Sequence, residues 1–162
     1  RLDGDPSGLM LCAKNDEVGY ILQDEIRRRN VDRKYLCLVH GNIASDTGLI
    51  DAPIFRSDKN RTRMQVSDKP QARSSVTTFN VLERFESGLK DNGFTLLECK
   101  LYSGRTHQIR VHMEYINHWV VGDQTYGNPG RSSNLGLCRQ LFHRVPASLH
   151  QRYAQLHGAA AR

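Results

Sequence analysis

The sequence lacks a long apolar segment and a leader-like start. No run of about 18 apolar residues occurs, so we expect no membrane-spanning helix. The first four residues (RLDG) lack the apolar stretch of a secretory signal, and the chain does not begin with Met. We therefore expect a cytoplasmic protein, with Arg1 at a cut inside a longer chain.

Cysteine is scarce, and its spacing does not suggest a metal site. Four cysteines are spread along the chain without a CxxC pair, which disfavours a zinc knuckle. Each lies in or near an apolar run, so we predict buried thiols in a reducing compartment. His107 and His112 lack the spacing and the glutamate of an HExxH helix, so no metal site is predicted there. The four cysteines are Cys12, Cys37, Cys99 and Cys138.

Positive charge is in excess. The chain has 23 Lys and Arg residues against 17 Asp and Glu residues, a net charge of +6 and a pI near 9.4. This balance indicates a polyanionic partner such as nucleic acid, although a generally basic surface would give the same composition. The basic residues form two groups along the sequence, one of Arg27, Arg28, Arg29, Arg33 and Lys34 and one of Lys59, Arg61, Arg63, Lys69 and Arg73.

The length of 162 residues fits one domain with a sizeable core, and the patterning predicts two helices within it. Asn15 or Asp16 is a suitable N-cap for a first helix whose apolar residues recur at three and four positions. A second helix is predicted from about residue 106 to residue 117, with Ile109 and Met113 on its core face.

Short apolar or alternating runs predict strands at residues 9–13, 34–39, 76–85, 94–101 and 137–145. Two of these, 76–85 and 94–101, flank a turn and should pair as an antiparallel hairpin. The polar and basic stretch 56–73 is predicted to be a surface hairpin or loop. Since strands in hairpins outnumber helices, we predict an α+β fold: a mainly antiparallel mixed β-sheet with flanking helices.

Two segments near the start of the chain carry candidate functional groups. Residues 1–8 (RLDGDPSG) place a carboxylate beside glycines that allow close approach of a ligand, although a surface turn capped by its aspartates would have the same sequence. Tyr35 begins a predicted strand; its ring can stack on a base and its hydroxyl can exchange a proton. A tyrosine at the rim of the core is the alternative.

The third candidate segment, residues 103–112 (SGRTHQIRVH), joins a glycine break, a helix start and two arginines. Free N–H groups at a helix start favour an anion, although an ordinary basic helix is the alternative. Arg110 lies next to the apolar stripe, so we expect it to be partly buried with an acidic partner.

In this order, the three segments resemble signatures of RluA-type RNA pseudouridine synthases, which modify uridines in ribosomal RNA and tRNA. The matching family patterns are RLD-x-x-T-S-G, a K-Y strand motif and G-R-T-H-Q-I-R-V-H. The segments GLIDAPI (48–54) and VGDQTYG (121–127) are also similar. The resemblance covers residues 1 to about 144, and 145–162 are weakly specified.

This sequence departs from the family pattern in three ways. Pro6 stands where the family usually has Thr, and LCRQLFHR follows the closing R-x-x-L-H-A strand only loosely. The family also carries strands ahead of RLD. We therefore expect residues 1–162 to form a single catalytic domain that begins part-way, with an N-terminally incomplete pseudouridine synthase fold.

The resemblance implies roles for individual residues. Asp3 would be the catalytic aspartate, Tyr35 would lie against the target base, and Arg110 would pair with Asp3. Further contacts with RNA are expected from Arg1, Leu2, Arg105, His107, Gln108 and Ile109. Of these, Leu2 and Ile109 would supply apolar walls, whereas Arg105 and His107 could bind phosphate or brace the loop.

The implied reaction breaks the glycosidic bond, turns the uracil and rejoins it through ring carbon 5. Because no redox change or hydrolysis occurs, neither a metal nor an organic cofactor is required. An ionised Asp3 could attack the sugar, add to the uracil ring or remove the ribose 2′ proton, and the sequence does not choose. The target base must leave its stack to be reached.

Two other functions stay open at this point: a catalytically inactive RNA-binding or ribosome-associated protein of the same fold, and a DNA-binding domain with its second helix in a groove. The joint presence of Asp3, Tyr35 and Arg110 favours the enzyme, because binding alone needs none of them. The apolar face of the helix argues against DNA binding. We expect RNA as the partner of a monomeric protein, with no membrane and no metal.

Overall fold

The computed structural model describes residues 7–86 and 92–127, together with the backbone of 138–144. These residues form two helices and eight strands. In chain order they are β1 (Ser7–Gly8), α1 (Asp16–Arg27), β2 (Asp32–His40), β3 (Thr47–Asp51), β4 (Ile54–Arg56), β5 (Met64–Val66), β6 (Val76–Phe85), β7 (Phe94–Leu101), α2 (Gln108–Tyr115) and β8 (Cys138–Arg144). No helix among the described residues is long and apolar enough to cross a membrane.

Six strands form one mixed sheet in the order β1-β8-β2-β7-β6-β3. The β1–β8 pair is parallel and the other four pairs are antiparallel, so the predicted mainly antiparallel α+β class is confirmed. The predicted hairpin of 76–85 with 94–101 is present with those bounds. Strands β4 and β5 form a separate two-stranded ribbon; β5 and the last residue of β4 lie in the stretch 56–73 that was predicted as a surface hairpin or loop.

The core lies between the sheet and α2. Buried side chains alternate along β2 and β7, as the geometry of a strand requires, and Cys37, Val39, Leu97 and Cys99 form one cluster with Ile109 and Met113 of α2. Ile109 and Met113 are buried, which confirms the predicted core face of the helix. The main cluster of buried residues comprises Cys37, Val39, Ile43, Ile50, Ala52, Phe79, Leu97, Cys99, Ile109, Met113 and Val120.

Helix α1 begins and ends with local hydrogen bonds that satisfy its free backbone groups. The side chain of Asn15 accepts a hydrogen bond from the Val18 amide at 2.9 Å, which confirms the predicted N-cap. At the other end, the amides of Arg29 and Asn30 bond to the carbonyls of Ile26 and Glu25, at 3.1 and 3.0 Å. This is a Schellman motif, and it holds Arg29 in the left-handed region at φ 62°.

Two predictions near the chain start are wrong. Residues 9–13 are not a strand, since β1 ends at Gly8, and Leu9 and Met10 are more than half exposed. An apolar run does not specify which element will cover it, and most of this one is exposed in the described structure. Cys12 is correspondingly exposed rather than buried.

The other described cysteines behave as predicted, because Cys37 and Cys99 are buried and free. The side chain of Cys138 lies outside the described residues. Helix α2 is shorter than predicted and starts at Gln108. The residue before it, His107, has φ 57°, which an α-helix cannot include.

Candidate active site

Gln108 clamps the turn that precedes α2 onto the sheet. Its Oε1 accepts hydrogen bonds from the Ser103 hydroxyl at 2.7 Å and the Arg105 amide at 3.0 Å. Its Nε2 donates to the Val76 carbonyl and to the Thr77 hydroxyl oxygen, both at 3.0 Å. The side chain is buried, so these bonds fix the turn relative to β6.

Arg110 and Asp123 form a buried, two-point ion pair. Arg110 Nε donates to Asp123 Oδ2 at 2.6 Å, and Nη2 donates to Oδ1 at 2.7 Å. The two side chains are only 7% and 3% exposed. Asp123 Oδ1 also accepts from the amides of Thr125 and Tyr126, both at 2.9 Å. Such added hydrogen bonds are what a buried pair needs to offset its loss of hydration.

The carboxyl of Asp123 stays ionised in this setting. Burial by itself would raise its pKa. The hydrogen bond and charge of Arg110, together with the amides of Tyr126 and Thr125, outweigh burial and hold the pKa below its ordinary value of 3.8. Arg110 therefore has a permanent negative partner at neutral pH.

Tyr126 packs the ion pair against the turn. Its ring is buried, with the guanidinium carbons of Arg63 and Arg110 lying over it at 5.0 and 4.9 Å from the ring centre. Its hydroxyl oxygen accepts from the Met64 amide at 2.8 Å and lies 2.8 Å from His107 Nδ1. Burial raises the pKa of the Tyr126 phenol, so the ring stays neutral. Tyr126 thus joins the start of α2, the β4–β5 ribbon and Arg110.

His112 is fully buried and serves as a neutral connector. The Thr77 hydroxyl accepts from Gln108, so its own proton is directed to His112 Nδ1 at 2.8 Å. Nε2 then donates to the Ala52 carbonyl at 3.0 Å. Burial lowers the pKa of His112, which keeps the ring uncharged. Within the described ranges, no group of His, Cys, Asp and Glu side chains is placed to hold a metal ion.

The structure places several predicted site residues around this network. Tyr35 lies on β2 opposite Cys99 and packs half-buried against the core, on the sheet face that α2 covers. Ile109 belongs to that same core, and Arg105 and His107 lie in the turn before α2. The position of Tyr35 fits a ring at the rim of the core, and whether it also contacts a base stays a prediction.

Arg1, Leu2 and Asp3 lie outside the described residues, so the pairing of Arg110 with Asp3 stays a prediction. The expectation of a buried arginine with an acidic partner is confirmed, but the described partner is Asp123. Sequence reasoning noted the VGDQTYG segment without assigning Asp123 or Tyr126 a role. The signal available in the sequence was a single acidic residue between Gly122 and Tyr126, after the predicted second helix.

Comparison with known proteins shows the family of this chain. Residues 1–115 match the model of the family described as RNA pseudouridylate synthase. The chain belongs to the RNA pseudouridylate synthase family. The family expected from the three sequence segments is therefore confirmed.

Named relatives share this family. The chain is 48% identical over 127 residues to YlyB of Bacillus subtilis, named an uncharacterized RNA pseudouridine synthase, covering 78% of this chain and 39% of that protein. It is 43% identical over 127 residues to ribosomal large subunit pseudouridine synthase D of Nitrosomonas europaea, covering 78% of this chain and 34% of the relative. The chain thus spans about two fifths or less of these relatives.

A solved human structure, RNA Pseudouridylate Synthase Domain Containing 1, has the same fold. It superposes with a TM-score of 0.78 at 24% identity, covering 98% of this chain and 79% of the human one. At that identity the likeness supports the fold alone.

Proposed function

We propose that this protein is an RNA pseudouridine synthase, an isomerase that converts specific uridines of ribosomal RNA or tRNA to pseudouridine with Asp3 as its catalytic carboxylate. The observation that carries the proposal is the buried Arg110, held in a fixed orientation on α2 within a family match that runs from residue 1 through that helix. A rigid cation on the floor of a site is a suitable anchor for a reacting carboxylate.

In this proposal Asp3 meets a further edge of the Arg110 guanidinium. A guanidinium has five N–H donors, and Asp123 engages two of them. Because Asp123 already balances the charge of Arg110, the arginine would lower the pKa of Asp3 less than an unpaired arginine would. The main contribution of Arg110 is then to orient the Asp3 carboxylate rather than to lower its pKa.

Tyr35 would stack on the extruded uracil and could move a proton as the ring regains aromaticity. Arg1, Arg105 and His107 would contact the RNA near the target. Gln108 and Ile109 are buried, so their contribution to binding would be to hold the turn and to close the apolar wall, together with Leu2.

The proposed chemistry needs only groups of the protein. An ionised Asp3 attacks the sugar carbon, adds to the uracil ring or removes the ribose 2′ proton, and each route rejoins the base without oxidant, metal or organic cofactor. We propose a monomer that acts in the cytoplasm; the free thiols of Cys37 and Cys99 suit a reducing compartment.

The test is Asp3→Asn, with Asp5→Asn in the same segment as the matched control. Each protein is incubated with uridine-containing ribosomal RNA and tRNA, and pseudouridine is mapped. We expect product from the wild type and from Asp5→Asn, and none from a folded, RNA-binding Asp3→Asn. Substantial turnover by Asp3→Asn would remove Asp3 from the mechanism. A wild-type chain that binds RNA but forms no pseudouridine would favour the inactive RNA-binding alternative.

A further inference from the structure

A large cleft extends from the turn before α2 across the sheet face opposite α2. Thr77, Phe79 and Cys99 point toward α2, so the alternation of the strands turns Thr78 and Lys100 to the other face. These two residues, with Leu49 of the edge strand, form a continuous strip in register across β3, β6 and β7. The cleft has a volume of about 970 Å³, which is at the upper end of the range for ligand sites.

The walls of the cleft are strongly basic. Five cations and one carboxylate, that of Asp32, line the cleft. Lys100 Nζ donates to Asp32 Oδ1 at 2.8 Å. That hydrogen bond raises the pKa of Lys100, which therefore remains a cation. The other lining cations are Arg27, Arg29, Arg33 and Arg105.

Two of these arginines have no ionic partner in the described structure. No described carboxylate forms an ion pair with Arg29 or Arg33. The guanidinium of Arg33 rests against Gly104, where a Cβ atom would lie 3.3 Å from its Nη1. The absence of a side chain at residue 104 therefore gives Arg33 room at the mouth of the cleft.

The backbone of Arg29 has a conformation that is unfavourable for a residue with a side chain. Arg29 occupies the position after the C-cap of α1 in the left-handed region, a position at which glycine is usual because L side chains are strained. Local folding alone would favour glycine at this position. An arginine that keeps a strained backbone and lines a basic cleft indicates that its positive charge has a function.

The cleft also offers surfaces suited to nucleobases. Tyr102 lines it and is 41% exposed, with Lys100 Nζ 5.9 Å from the ring centre. Leu49 on the floor is 64% exposed. Aromatic and apolar surface beside cations is the combination that binds single strands, because bases stack while phosphates meet positive charge.

We propose that this cleft binds a single-stranded segment of the RNA substrate, flanking the target uridine. The assignment rests on the proposed function and extends it to a second surface. Ser103, Gly104 and Arg105 line the cleft and shortly precede α2 in the chain. Arg105 is tied there through its Nε to the Ser74 carbonyl at 3.2 Å. An RNA strand in the cleft can therefore continue around the ends of β6 and β7 toward the candidate active site.

The test compares Arg29→Gly and Arg33→Gln with Lys59→Gln, which removes one positive charge outside the cleft. The probe is a short fluorescein-labelled, uridine-rich single-stranded RNA, and Kd is measured by anisotropy over a range of salt. Each cleft variant should bind roughly tenfold more weakly and lower the slope of log K against log salt by about 0.7. Lys59→Gln should change neither by a comparable amount.

Arg29→Gly carries a second readout, because its melting temperature should equal or exceed that of the wild type. Weaker binding by a protein that is at least as stable cannot come from unfolding. The proposal is overturned if both cleft variants bind RNA as Lys59→Gln does. Equally tight, equally salt-dependent binding of poly-glutamate, abolished by the same variants, would also overturn it in favour of an acidic polypeptide.

Binding and turnover separate this proposal from the proposed function. If the chain forms no pseudouridine, the difference in Kd between the cleft variants and Lys59→Gln still stands. If the cleft does not bind RNA, pseudouridine formation by the wild type would still support the proposed function.

Discussion

The α2 side of the sheet and the basic cleft differ in how completely their cations are paired. On the α2 face, Arg110 and Asp123 are buried, paired at two points and further bonded by backbone amides. In the cleft, Lys100 is paired with Asp32, whereas Arg29 and Arg33 have no described ionic partner. Polar groups that hold a structure must be satisfied within it, whereas groups that await an anionic ligand need not be. This contrast separates the α2 side of the sheet, proposed for chemistry, from the cleft, proposed for RNA binding.

The largest loss of stability is expected from breaking the buried Arg110–Asp123 pair. Arg110→Met leaves Asp123 charged and buried, so the free energy of unfolding should fall by about 3–5 kcal/mol, measured by urea denaturation. The double variant Arg110→Met, Asp123→Leu should recover part of that loss, because no lone charge remains.

The matched control is Arg63→Met, which also removes a guanidinium from the Tyr126 ring. Its pair with Glu114 is about one third exposed, so we expect a loss of about 1 kcal/mol. Equal losses for Arg110→Met and Arg63→Met would show that the α2 face is not organised around the Arg110–Asp123 pair.

A smaller, pH-dependent effect is expected from His112. Burial keeps its pKa in the folded state below 6.5, the value for an exposed histidine. Below about pH 6.5 the unfolded chain takes up a proton that the folded ring does not, so stability is lost as pH falls toward the folded-state pKa. The loss from this residue cannot exceed about 1.4 kcal/mol per pH unit.

The measurement is the free energy of unfolding between about pH 7.5 and about pH 5.5. His112→Gln should be less stable than the wild type at the upper pH but should lose less stability on acidification. The matched control is His118→Gln, which removes another partly buried ring that bonds a backbone carbonyl, that of His40. An unchanged slope in His112→Gln would mean that the buried ring is not the group that resists protonation.

The smallest change in stability is expected from Arg29 in the cleft, and it is an increase. Arg29→Gly relieves a left-handed residue and should raise the free energy of unfolding by about 1 kcal/mol. Its neighbour Arg28 has an ordinary φ of −74° and an ion pair with Asp24, so Arg28→Gly should lower it by about 0.5–1 kcal/mol. Destabilisation by both variants would mean that Arg29 holds the fold together rather than serving a ligand.

Sequence patterning predicted the hairpin of β6 and β7 with its bounds, and it limited the N-cap of α1 to Asn15 or Asp16, because strand alternation and capping are local properties. It failed at residues 9–13, because the burial of an apolar run depends on what packs over it. Cys12 was predicted wrongly for the same reason.

The candidate site was predicted only in part. Arg110 was expected to be buried beside an acid, but nothing local shows which carboxylate it meets, since Asp123 reaches it through a separate turn after the helix. The cleft was visible only as a group of basic residues near Arg29. Its floor comes from three strands whose register is set by the whole sheet.

The most direct test of the account is the single-turnover rate of pseudouridine formation as a function of RNA concentration for wild type, Asp3→Asn and Arg29→Gly. We predict that Asp3→Asn forms no product at any concentration, while Arg29→Gly reaches the wild-type maximal rate but needs roughly tenfold more RNA. Product from Asp3→Asn at saturating RNA, or a lowered maximal rate with an unchanged RNA requirement in Arg29→Gly, would contradict the assignment of chemistry to the α2 side of the sheet and of RNA binding to the cleft.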